Sequence, residues 1–328
     1  MTTALTHESI QHMARAFSRS RILLTAVELD LFTLLADKPL SAAEAAGRLK
    51  SDPRATTILL DALAAMELLE KSNARYRTTR AVVPILTTRG EDSIIPSLMH
   101  SAYLWKTWSQ LTEVVLDGGP AHRPDTGGND RMEAFIGAMH VRAVRDAPEL
   151  VRAVKPGTAR NLIDVAGGSG SYTIGFLNAS PGMKATLFDL PEVITMARER
   201  ISGEGLLDRV TLVGGDYNTD ELPGGHDLAL LSAVIHQNSS EQNMKVYRKT
   251  YDALVPGGRI IVRDYVMSPD RTKPASGALF AVNMLVNTRS GNSYTFDEIR
   301  EGLEKAGFKK VKILKNGEMS SLVEGWKP

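Results

Sequence analysis

The chain has 328 residues, with 39 Lys and Arg against 38 Asp and Glu, so its formal net charge is +1. This balance excludes an overall field that attracts nucleic acid or an anionic membrane, and the absence of cysteine excludes disulfides, thiolate nucleophiles and Cys-based zinc sites. Apolar residues form 43% of the sequence, which is enough for a packed core, and the length favours two domains. The first residues lack the basic start and apolar run of a signal peptide, and no stretch has the length of a membrane span. We therefore expect a soluble, cytoplasmic protein.

The first hundred residues have the spacing of a helical domain. Apolar residues recur at helical intervals from Ile10 to Leu35, and Ser41 and Asp52 are typical helix caps. The helix after Asp52 is expected to run from Arg54 to Leu69. Residues 70–79 then indicate two short strands about a Ser-Asn turn. Helices followed by a hairpin predict a winged helix over residues 1–100. Its apolar leading helices favour burial against a second copy, so we expect a homodimer.

A winged helix raises the hypothesis of DNA binding. The helix in the recognition position, residues 54–71, carries Asp61, Glu67 and Glu70, with Lys71 only at its end. A helix that reads a groove needs cations for phosphates and Arg, Asn or Gln for base edges. The composition therefore disfavours a nucleic-acid partner, and a DNA-binding regulator is the weakest of the hypotheses.

Residues 101–150 are predicted to be a helical linker that contributes to a substrate pocket. A helix with an aromatic face is expected over Met99–Trp108, and Asp130 is a candidate cap for a second helix that ends near Val144. Gly118–Pro120 and the segment 124–129 indicate loops. The aromatic residues and methionines here suit either core packing or pocket lining.

From residue 157 onward, strands and helices alternate, which predicts an α/β domain with a Rossmann-like, doubly wound sheet over residues 151–328. The expected strands are residues 160–165, 184–188, 210–213, 227–233 and 259–263, with late strands at 311–314 and 321–324. A helix over 240–254 is expected to stop at Pro256-Gly257-Gly258.

Three features fall where strands of this sheet end, which is where open α/β sheets bind ligands. A glycine turn covers residues 166–170, Asp189 ends the next strand, and Asp216 with Tyr217 follows the third. Glycine lets backbone N–H groups approach a ligand, an acid at the second strand holds ribose hydroxyls, and an acid beside an aromatic ring suits adenine. Their order along the chain points to an adenosine ligand.

The turn does not match the motifs of phosphate-bearing nucleotides. The segment from Gly168 to Thr173 lacks the third glycine of the dinucleotide motif, and the sequence has no phosphate-binding loop. A ligand without phosphate fits better, and S-adenosylmethionine is such a ligand. Asp164, at the end of the first strand, is expected near its amino-acid part.

The sequence from Leu162 to Phe308 resembles the S-adenosylmethionine-dependent O-methyltransferases typified by plant caffeic acid and isoflavone enzymes and by bacterial polyketide and phenazine enzymes. The winged-helix region resembles that family's dimerisation domain. The matching segments occur in family order and are LIDVAGGSG, LFDLPEV, GGDY, LLSAVIHQNSSEQ, ALVPGGRIIVRDYVM, NMLVNTRSG and EIREGLEKAGF.

The resemblance implies a role for each matched position. The glycine turn is expected to cradle the methionine part of S-adenosylmethionine, which leaves as S-adenosylhomocysteine. Asp189 is expected to bind the ribose, and Asp216 with Tyr217 to flank the adenine. The predicted cofactor-binding residues are Asp164, Gly167, Gly168, Gly170, Asp189, Leu190, Asp216, Tyr217 and Ser232. The predicted acceptor pocket contains Asn283, Met284, Asn287 and Thr288, and no metal is implied.

His236 occupies the position of the family's general base, and Asp264 the position of the acid that orients it. A phenol ordinarily has a pKa near 10 and is a poor nucleophile until deprotonated, whereas a histidine side chain accepts protons near neutral pH. Attack of a phenolate on a sulfonium methyl group removes two charges, so a desolvated and aligned site favours the transition state without a metal. A structural histidine is the alternative at this strand end.

The sequence departs from the family pattern at several positions. The usual His-Asp-Trp is His236-Gln237-Asn238, and a frequent lysine four residues before the base is Ser232. The first glycine of the motif is Ala166, the orienting glutamate is Asp264, and a second acid of plant members is Ser293. The cofactor-binding residues are therefore better matched than the surroundings of the base.

We expect methylation of a hydroxyl on a small aromatic or polyketide-like molecule. The altered motif keeps a second hypothesis open, that the fold has been repurposed for decarboxylation, hydroxylation or a pericyclic reaction, because function follows the site and not the fold.

Overall fold

The computed structural model describes residues 5–119, 128–317 and 320–328. The described chain divides into two compact units, one formed by residues 5–106 and 128–141 and the other by residues 107–119, 142–317 and 320–328. The predicted loop at Pro120 and most of the predicted loop at 124–129 lie outside the described residues.

The first unit consists of short helices and a small sheet. Its elements are α1 (His7–Arg15), α2 (Phe17–Glu28), α3 (Leu31–Leu34), β1 (Leu40–Ser41), α4 (Ala42–Leu49), α5 (Pro53–Ala65), β2 (Leu69–Ser72), β3 (Arg75–Thr78), α6 (Val83–Leu86) and α7 (Ile95–Trp108). The strands pair in the antiparallel order β1-β3-β2. The predicted helices and hairpin are confirmed in this order.

The sequence signals at two of these helix starts are confirmed at atomic level. The Ser41 side chain accepts from the Glu44 N–H while the Glu44 carboxylate accepts from the Ser41 N–H, and Asp52 caps α5. The prediction that α5 reaches Leu69 is wrong. Glu67 has a φ of 63°, in the left-handed region that ends a helix, and Leu69 begins β2.

The core of this unit is built from apolar side chains of α2, α3, α5 and the hairpin, among them Leu31, Phe32, Leu60 and Leu69. Helix α1 is different because it buries no residue, and Ile10 and Met13 on it are more than half exposed. An amphipathic helix without a buried face is available for a partner.

The second unit contains the remaining strands and most of the remaining helices. The helices are α8 (Leu111–Asp117), α9 (Gly128–Val154), α10 (Ser171–Ala179), α11 (Pro191–Gly203), α12 (Ser240–Ala253), α13 (Ala275–Asn287) and α14 (Phe296–Ala306). The part of α9 up to residue 141 belongs to the first unit. The strands are β4 (Asn161–Val165), β5 (Lys184–Asp189), β6 (Val210–Gly214), β7 (His226–Ser232), β8 (Leu254–Asp264), β9 (Val266–Met267), β10 (Tyr294–Thr295), β11 (Lys309–Lys315) and β12 (Ser321–Trp326).

Seven of these strands form one sheet in the order β11-β12-β8-β7-β4-β5-β6. Strands β4 to β8 run parallel, while β12 pairs antiparallel with β8 and β11 antiparallel with β12. The chain moves outward from β4 through β5 to β6 and then returns to the other side of β4 as β7. This reversal opens a crevice at the carboxyl ends of β4 and β7, the usual ligand site of such sheets. The predicted doubly wound fold is confirmed.

Alternating residues of the central strands face two separate cores. Leu162 and Leu230 pack with α10, α11 and the end of α9, while Ile163 and Leu231 pack with α12 and α14. Each is fully buried, and truncation of such a side chain to alanine costs about 2–5 kcal/mol. This two-sided burial holds the strand ends in place.

Three elements differ from the sequence prediction. Helix α9 continues to Val154 instead of ending near Val144, because Leu150 and Val151 gain burial that outweighs the missing N–H of Pro148. Strand β8 already begins at Leu254, so Pro256 lies within the strand that was expected to follow it. Helix α13 was not predicted as an element.

No helix among the described residues is long and apolar enough to cross a membrane.

Candidate active site

The glycine turn after β4 lies directly against the end of β5. The Gly168 N–H donates to Oδ2 of Asp189 at 2.7 Å, and the Leu190 N–H donates to Oδ1 at 2.7 Å. Gly168 has a φ of 56°, and a Cβ built there meets no atom within 4 Å, so its main chain borders open space. Burial raises the pKa of Asp189, since desolvation disfavours its charged form. The structure thus brings the predicted glycine turn and ribose-binding acid together around an open cradle.

Gly167 and Ala166 in the same turn limit which side chains can occupy their positions. A Cβ on Gly167 would lie 2.8 Å from Leu187 Cγ, closer than packing allows. Ala166, at the position where the family has glycine, has a φ of 55° in the left-handed region. The turn therefore keeps the glycine geometry although one glycine is absent.

Asp164 is a buried carboxylate beneath the turn. Its Oδ2 accepts from the Thr173 hydroxyl at 2.7 Å, while Oδ1 is buried without a partner among the described residues. Burial raises the pKa of Asp164 to about 7. A buried acceptor without a donor indicates a group that the protein itself does not supply. This arrangement suits the ammonium group of an amino-acid ligand.

Asp216 and Tyr217 lie in a tight turn after β6. Oδ1 of Asp216 accepts from the Asn218 N–H at 2.8 Å, and the ammonium of Lys249 donates to the Tyr217 carbonyl at 3.0 Å. Burial raises the pKa of Tyr217, so its hydroxyl remains a neutral donor. It donates to Asn238 Oδ1 at 3.5 Å, which connects this turn to the segment that carries His236.

His236 lies in a 3-10 turn, Ile235–Gln237, directly after β7. Its Nδ1 is 2.9 Å from both carboxylate oxygens of Asp264, the last residue of β8, and the His236 residue is 7% exposed. Asp264 Oδ1 also accepts from the Tyr265 N–H at 2.8 Å. A carboxylate that accepts at Nδ1 keeps the proton there and leaves Nε2 as the acceptor nitrogen. Within the described part of the chain, no group hydrogen-bonds Nε2.

Aromatic rings and main-chain contacts hold this imidazole in place. Phe280 of α13 meets the His236 ring edge to face at 4.7 Å between centroids, and Tyr265 stacks on Phe280 at 4.5 Å. The Asn292 N–H donates to the His236 carbonyl at 2.9 Å, and a Cβ on Gly291 would lie 2.4 Å from the same oxygen. The sequence interpretation missed these contacts, because spacing along the chain does not reveal that α13 and the following loop meet β7.

Asn238, one of the two departures after the base, has a structural role. Asn238 and Asn243 are both buried, and the Asn238 amide donates to Asn243 Oδ1 at 3.1 Å. Asn243 in turn donates to the Ile235 carbonyl at 2.9 Å. This amide pair stabilises the 3-10 turn that carries His236. The position of two Asn residues five apart across a helix cap was the signal available in the sequence.

The four predicted acceptor-pocket residues lie at the end of α13. The Asn287 amide donates to Asn283 Oδ1 at 3.0 Å, and the Trp108 indole N–H donates to the same oxygen at 3.0 Å. Met284 is buried, and the Thr288 hydroxyl donates to the Met284 carbonyl at 2.7 Å. Asn283 and Asn287 are one helical turn apart and follow Phe280 along α13, so the amides continue the face that contacts His236.

These features fit an S-adenosyl ligand. The open cradle at Gly168, the acid of Asp189 and the unpartnered oxygen of Asp164 offer contacts for a thioether chain, ribose hydroxyls and an ammonium group. The Arg and Lys that a pyrophosphate requires do not occur in the glycine turn. In the described ranges, no three His, Asp or Glu side chains are grouped to hold a metal ion.

Two family models match the chain. One, described as an O-methyltransferase domain, covers residues 127–309, and the other, an O-methyltransferase dimerisation domain, covers residues 11–86. The 3-hydroxy-5-methyl-1-naphthoate 3-O-methyltransferase of Streptomyces sahachiroi is 32% identical over 92% of this chain and 90% of its own. The tetracenomycin polyketide synthesis 8-O-methyl transferase TcmO of Streptomyces glaucescens is 32% identical over 97% of this chain and 96% of its own.

A solved structure gives the same result in three dimensions. Human N-acetylserotonin methyltransferase in complex with S-adenosylmethionine superposes with a TM-score of 0.84 at 25% identity, covering 100% of this chain and 99% of that one. These relatives give no support to a repurposed enzyme or a DNA-binding regulator. The chain belongs to the S-adenosylmethionine-dependent O-methyltransferases and carries the dimerisation domain of that family.

Proposed function

We propose that this enzyme methylates a hydroxyl on a flat aromatic, polyketide-like acceptor, with His236 as the general base and Asp264 as the residue that orients it. The contact of His236 Nδ1 with both oxygens of Asp264, which leaves Nε2 without a protein partner in the described chain, carries this proposal. The names of the two Streptomyces relatives support the acceptor class, since they act on a hydroxynaphthoate and in tetracenomycin polyketide synthesis.

Bound S-adenosylmethionine supplies an electrophilic methyl group on sulfonium. Nε2 of His236 accepts the proton of the acceptor hydroxyl as the oxygen–methyl bond forms and the sulfur–methyl bond breaks. The products are the methyl ether and S-adenosylhomocysteine, and the proton then leaves the imidazolium for solvent. Asp264 stabilises the imidazolium through Nδ1. Proton transfer of this kind contributes about 10²–10⁴-fold to the rate.

The buried surroundings strengthen this effect. Phe280 packs against the imidazole and Tyr265 stacks on Phe280, so apolar surface near the imidazole strengthens the interaction between Asp264 and an imidazolium. Orientation of the base and exclusion of water are the contributions that the chain makes to a reaction in which the positive charge passes from the sulfonium to the imidazolium.

The cofactor-binding roles are also proposals. We assign the methionine part to the glycine turn with Asp164, the ribose to Asp189 with Leu190, and the adenine to the turn at Asp216. The support is the cradle at Gly168 and the position of all three acids at the carboxyl ends of β4, β5 and β6.

The N-terminal unit is proposed to form a homodimer through a winged-helix domain. The dimerisation family match and the unburied face of α1 support this proposal. The boundaries 1–100, 101–150 and 151–328, a contribution of the middle segment to the acceptor pocket, and a cytoplasmic location remain predictions.

Turnover assays with a panel of hydroxynaphthoates and hydroxyanthraquinones test the proposed reaction. We expect equal amounts of a methoxy product and S-adenosylhomocysteine, and no turnover of analogues whose hydroxyl is already methylated. Amino-substituted analogues serve as a matched comparison for the acceptor atom. Release of S-adenosylhomocysteine only with the amines would contradict O-methylation.

A further inference from the structure

A cluster of charged and polar residues around the buried Arg263 lies next to Asp264, and only Ser232 among its members has a predicted role in cofactor binding. We call it the Arg263 cluster, and its members are Arg142, Asp146, Tyr172, Ser232 and Arg263. Arg263 is only 6% exposed. Its Nη2 donates to Asp146 Oδ2 at 2.5 Å, its Nη1 lies 3.4 Å from Ser232 Oγ, and its guanidinium lies 5.1 Å from the centre of the Tyr172 ring.

The cluster is located at the ligand-binding edge of the sheet. Ser232 and Arg263 are register partners at the carboxyl ends of β7 and β8. Tyr172 is the second residue of α10 and follows Gly170 by two positions. β7 pairs directly with β4, and the Tyr172 ring that contacts the guanidinium follows the glycine turn, so the cluster lies beside that turn. Arg263 and Asp264 are successive residues and point to opposite faces of the sheet.

The charges within the cluster do not balance. Asp146 Oδ2 accepts from Arg263 and also lies 4.0 Å from Nε of Arg142, so two guanidinium groups share one carboxylate. The cluster therefore carries a net charge of +1. Arg263 is the buried member, with a side chain that is 7% exposed, whereas the side chains of Arg142 and Asp146 are 37% and 39% exposed. The buried guanidinium therefore has a counter-ion that is itself partly solvated and shared with a second guanidinium, which leaves its charge incompletely compensated. An anionic group would balance the cluster from its buried side.

We propose that Arg263, together with the Ser232 hydroxyl, binds the carboxylate of the methionine part of S-adenosylmethionine. This inference rests on the proposed function, which assigns the methionine part to the adjacent glycine turn. Guanidinium and carboxylate groups form charge-assisted hydrogen bonds, and the planar fork of arginine favours a bidentate geometry. Tyr172 fixes the guanidinium plane through its ring, and Asp146 keeps one edge occupied so that the other edge is presented to the ligand.

Calorimetry with two ligands that differ only in the carboxylate tests the proposal. The first ligand is S-adenosylhomocysteine, and the second is its decarboxylated analogue, S-adenosyl-3-thiopropylamine. We expect the unmodified protein to bind S-adenosylhomocysteine about 10- to 100-fold more tightly, the range for loss of a charge-assisted pair. Equal affinity for the two ligands would overturn the proposal while leaving cofactor binding intact. Binding of neither ligand would overturn the proposed function as well.

The Arg263→Met variant keeps the length of the side chain and removes its charge. It is expected to weaken S-adenosylhomocysteine binding about 10- to 100-fold and to change binding of the decarboxylated analogue less than about threefold, so that the preference is lost. Arg263→Lys keeps the charge without the fork and is expected to retain part of the preference. If Arg263→Met still prefers S-adenosylhomocysteine over the decarboxylated analogue, the proposal is wrong. If the variant binds both ligands more weakly by the same factor, Arg263 has a purely structural role and the proposal is also wrong.

Asp146→Asn is the matched control for the ion pair. If Arg263 binds the ligand carboxylate, loss of the Asp146 charge leaves the preference for S-adenosylhomocysteine unchanged or larger. If Arg263 serves only to hold α9 to the sheet, Asp146→Asn and Arg263→Met both weaken the two ligands equally, and the proposal is wrong. Should Arg263→Met fail to fold, the ligand preference of the unmodified protein and of Arg263→Lys decides the question.

Discussion

Nδ1 of His236 lies 2.9 Å from Oδ1 and 2.9 Å from Oδ2 of Asp264, so the imidazole faces the middle of the carboxylate. This relationship fixes both the tautomer and the direction of the ring. The Tyr265 N–H donates to Asp264 Oδ1 at 2.8 Å, and Phe280 packs against the His236 ring. Nε2 is consequently the nitrogen left to meet an acceptor hydroxyl.

Replacement of the base tests its role directly. His236→Ala is expected to lower kcat by about 10²–10⁴-fold, since the acceptor hydroxyl then loses its proton acceptor. The Kd for S-adenosylhomocysteine, measured by calorimetry, is expected to stay within about threefold, because the proposed cofactor contacts are made by other residues. A kcat close to that of the unmodified enzyme contradicts the mechanism.

The orienting carboxylate is tested by a pair of variants. Asp264→Asn keeps the shape but offers Nδ1 an amide, so the imidazole loses the partner that fixes its tautomer and stabilises its charged form. We expect kcat to fall about 10²-fold or more. Asp264→Glu, which restores the carboxylate one methylene further out, is expected to retain more activity than Asp264→Asn. The reverse order of the two variants would show that side-chain size, and not charge, matters here.

The ribose-binding assignment predicts a change in cofactor affinity. Asp189→Asn is expected to raise the Kd for S-adenosylhomocysteine about tenfold or more, because hydrogen bonds to a charged acceptor are the stronger ones. Asp252→Asn, a carboxylate exposed on α12, is the control and is expected to leave the Kd unchanged. An unaltered Kd in Asp189→Asn removes this residue from the cofactor site.

Burial of Asp164 predicts a pH-dependent stability. Its pKa in the folded protein is about 7, above the ordinary value of 3.8, so between these values the folded state binds more protons than the unfolded state. The free energy of unfolding contributed by this group therefore falls as the pH rises from about 4 to about 7. Asp164→Asn has no such penalty, and its gain in Tm over the unmodified protein is expected to be larger at pH 8 than at pH 4.5.

Thermal unfolding of both proteins without ligand at these two pH values checks this prediction. Asp252→Asn is again the control, because its carboxylate is exposed on the surface. A gain in Tm that is the same at both pH values, or larger at pH 4.5, contradicts the assignment of a raised pKa to Asp164.

The proposed dimer predicts a change of mass in solution. Ile10 and Met13 are 55% and 70% exposed on a helix without buried residues, and aspartate at both positions introduces charge into an apolar surface. Light scattering is expected to show a dimer for the unmodified protein and a monomer for the Ile10→Asp, Met13→Asp variant. Leu207→Asp, at an exposed apolar residue of the second unit, is expected to remain dimeric. A monomeric unmodified protein contradicts the proposal.

Features that depend on local signals were predictable from the sequence. Ser41 and Asp52 cap their helices through contacts within three residues, and the order of strands fixed the order of Asp164, Asp189 and Asp216 along one sheet edge. The extent of α9 was not predictable, because the burial that carries the helix past Pro148 comes from distant strands.

The same distinction applies to the site. The position of His236 follows from its motif, whereas its contacts with Phe280 and Asn292 come from residues more than forty positions away. The Arg263 cluster joins α9, α10, β7 and β8, and neither spacing nor residue type predicted that grouping. Long-range packing, which no local pattern encodes, determines these parts of the site.

A crystal structure of the protein with S-adenosylhomocysteine tests the central claim most directly. We expect the nucleoside over the glycine turn, with its sulfur about 6–8 Å from Nε2 of His236, the span of a methyl transfer plus one hydrogen bond. A sulfur far beyond that distance, or an imidazole turned away from Asp264 in the complex, would contradict the assignment of His236 as the base.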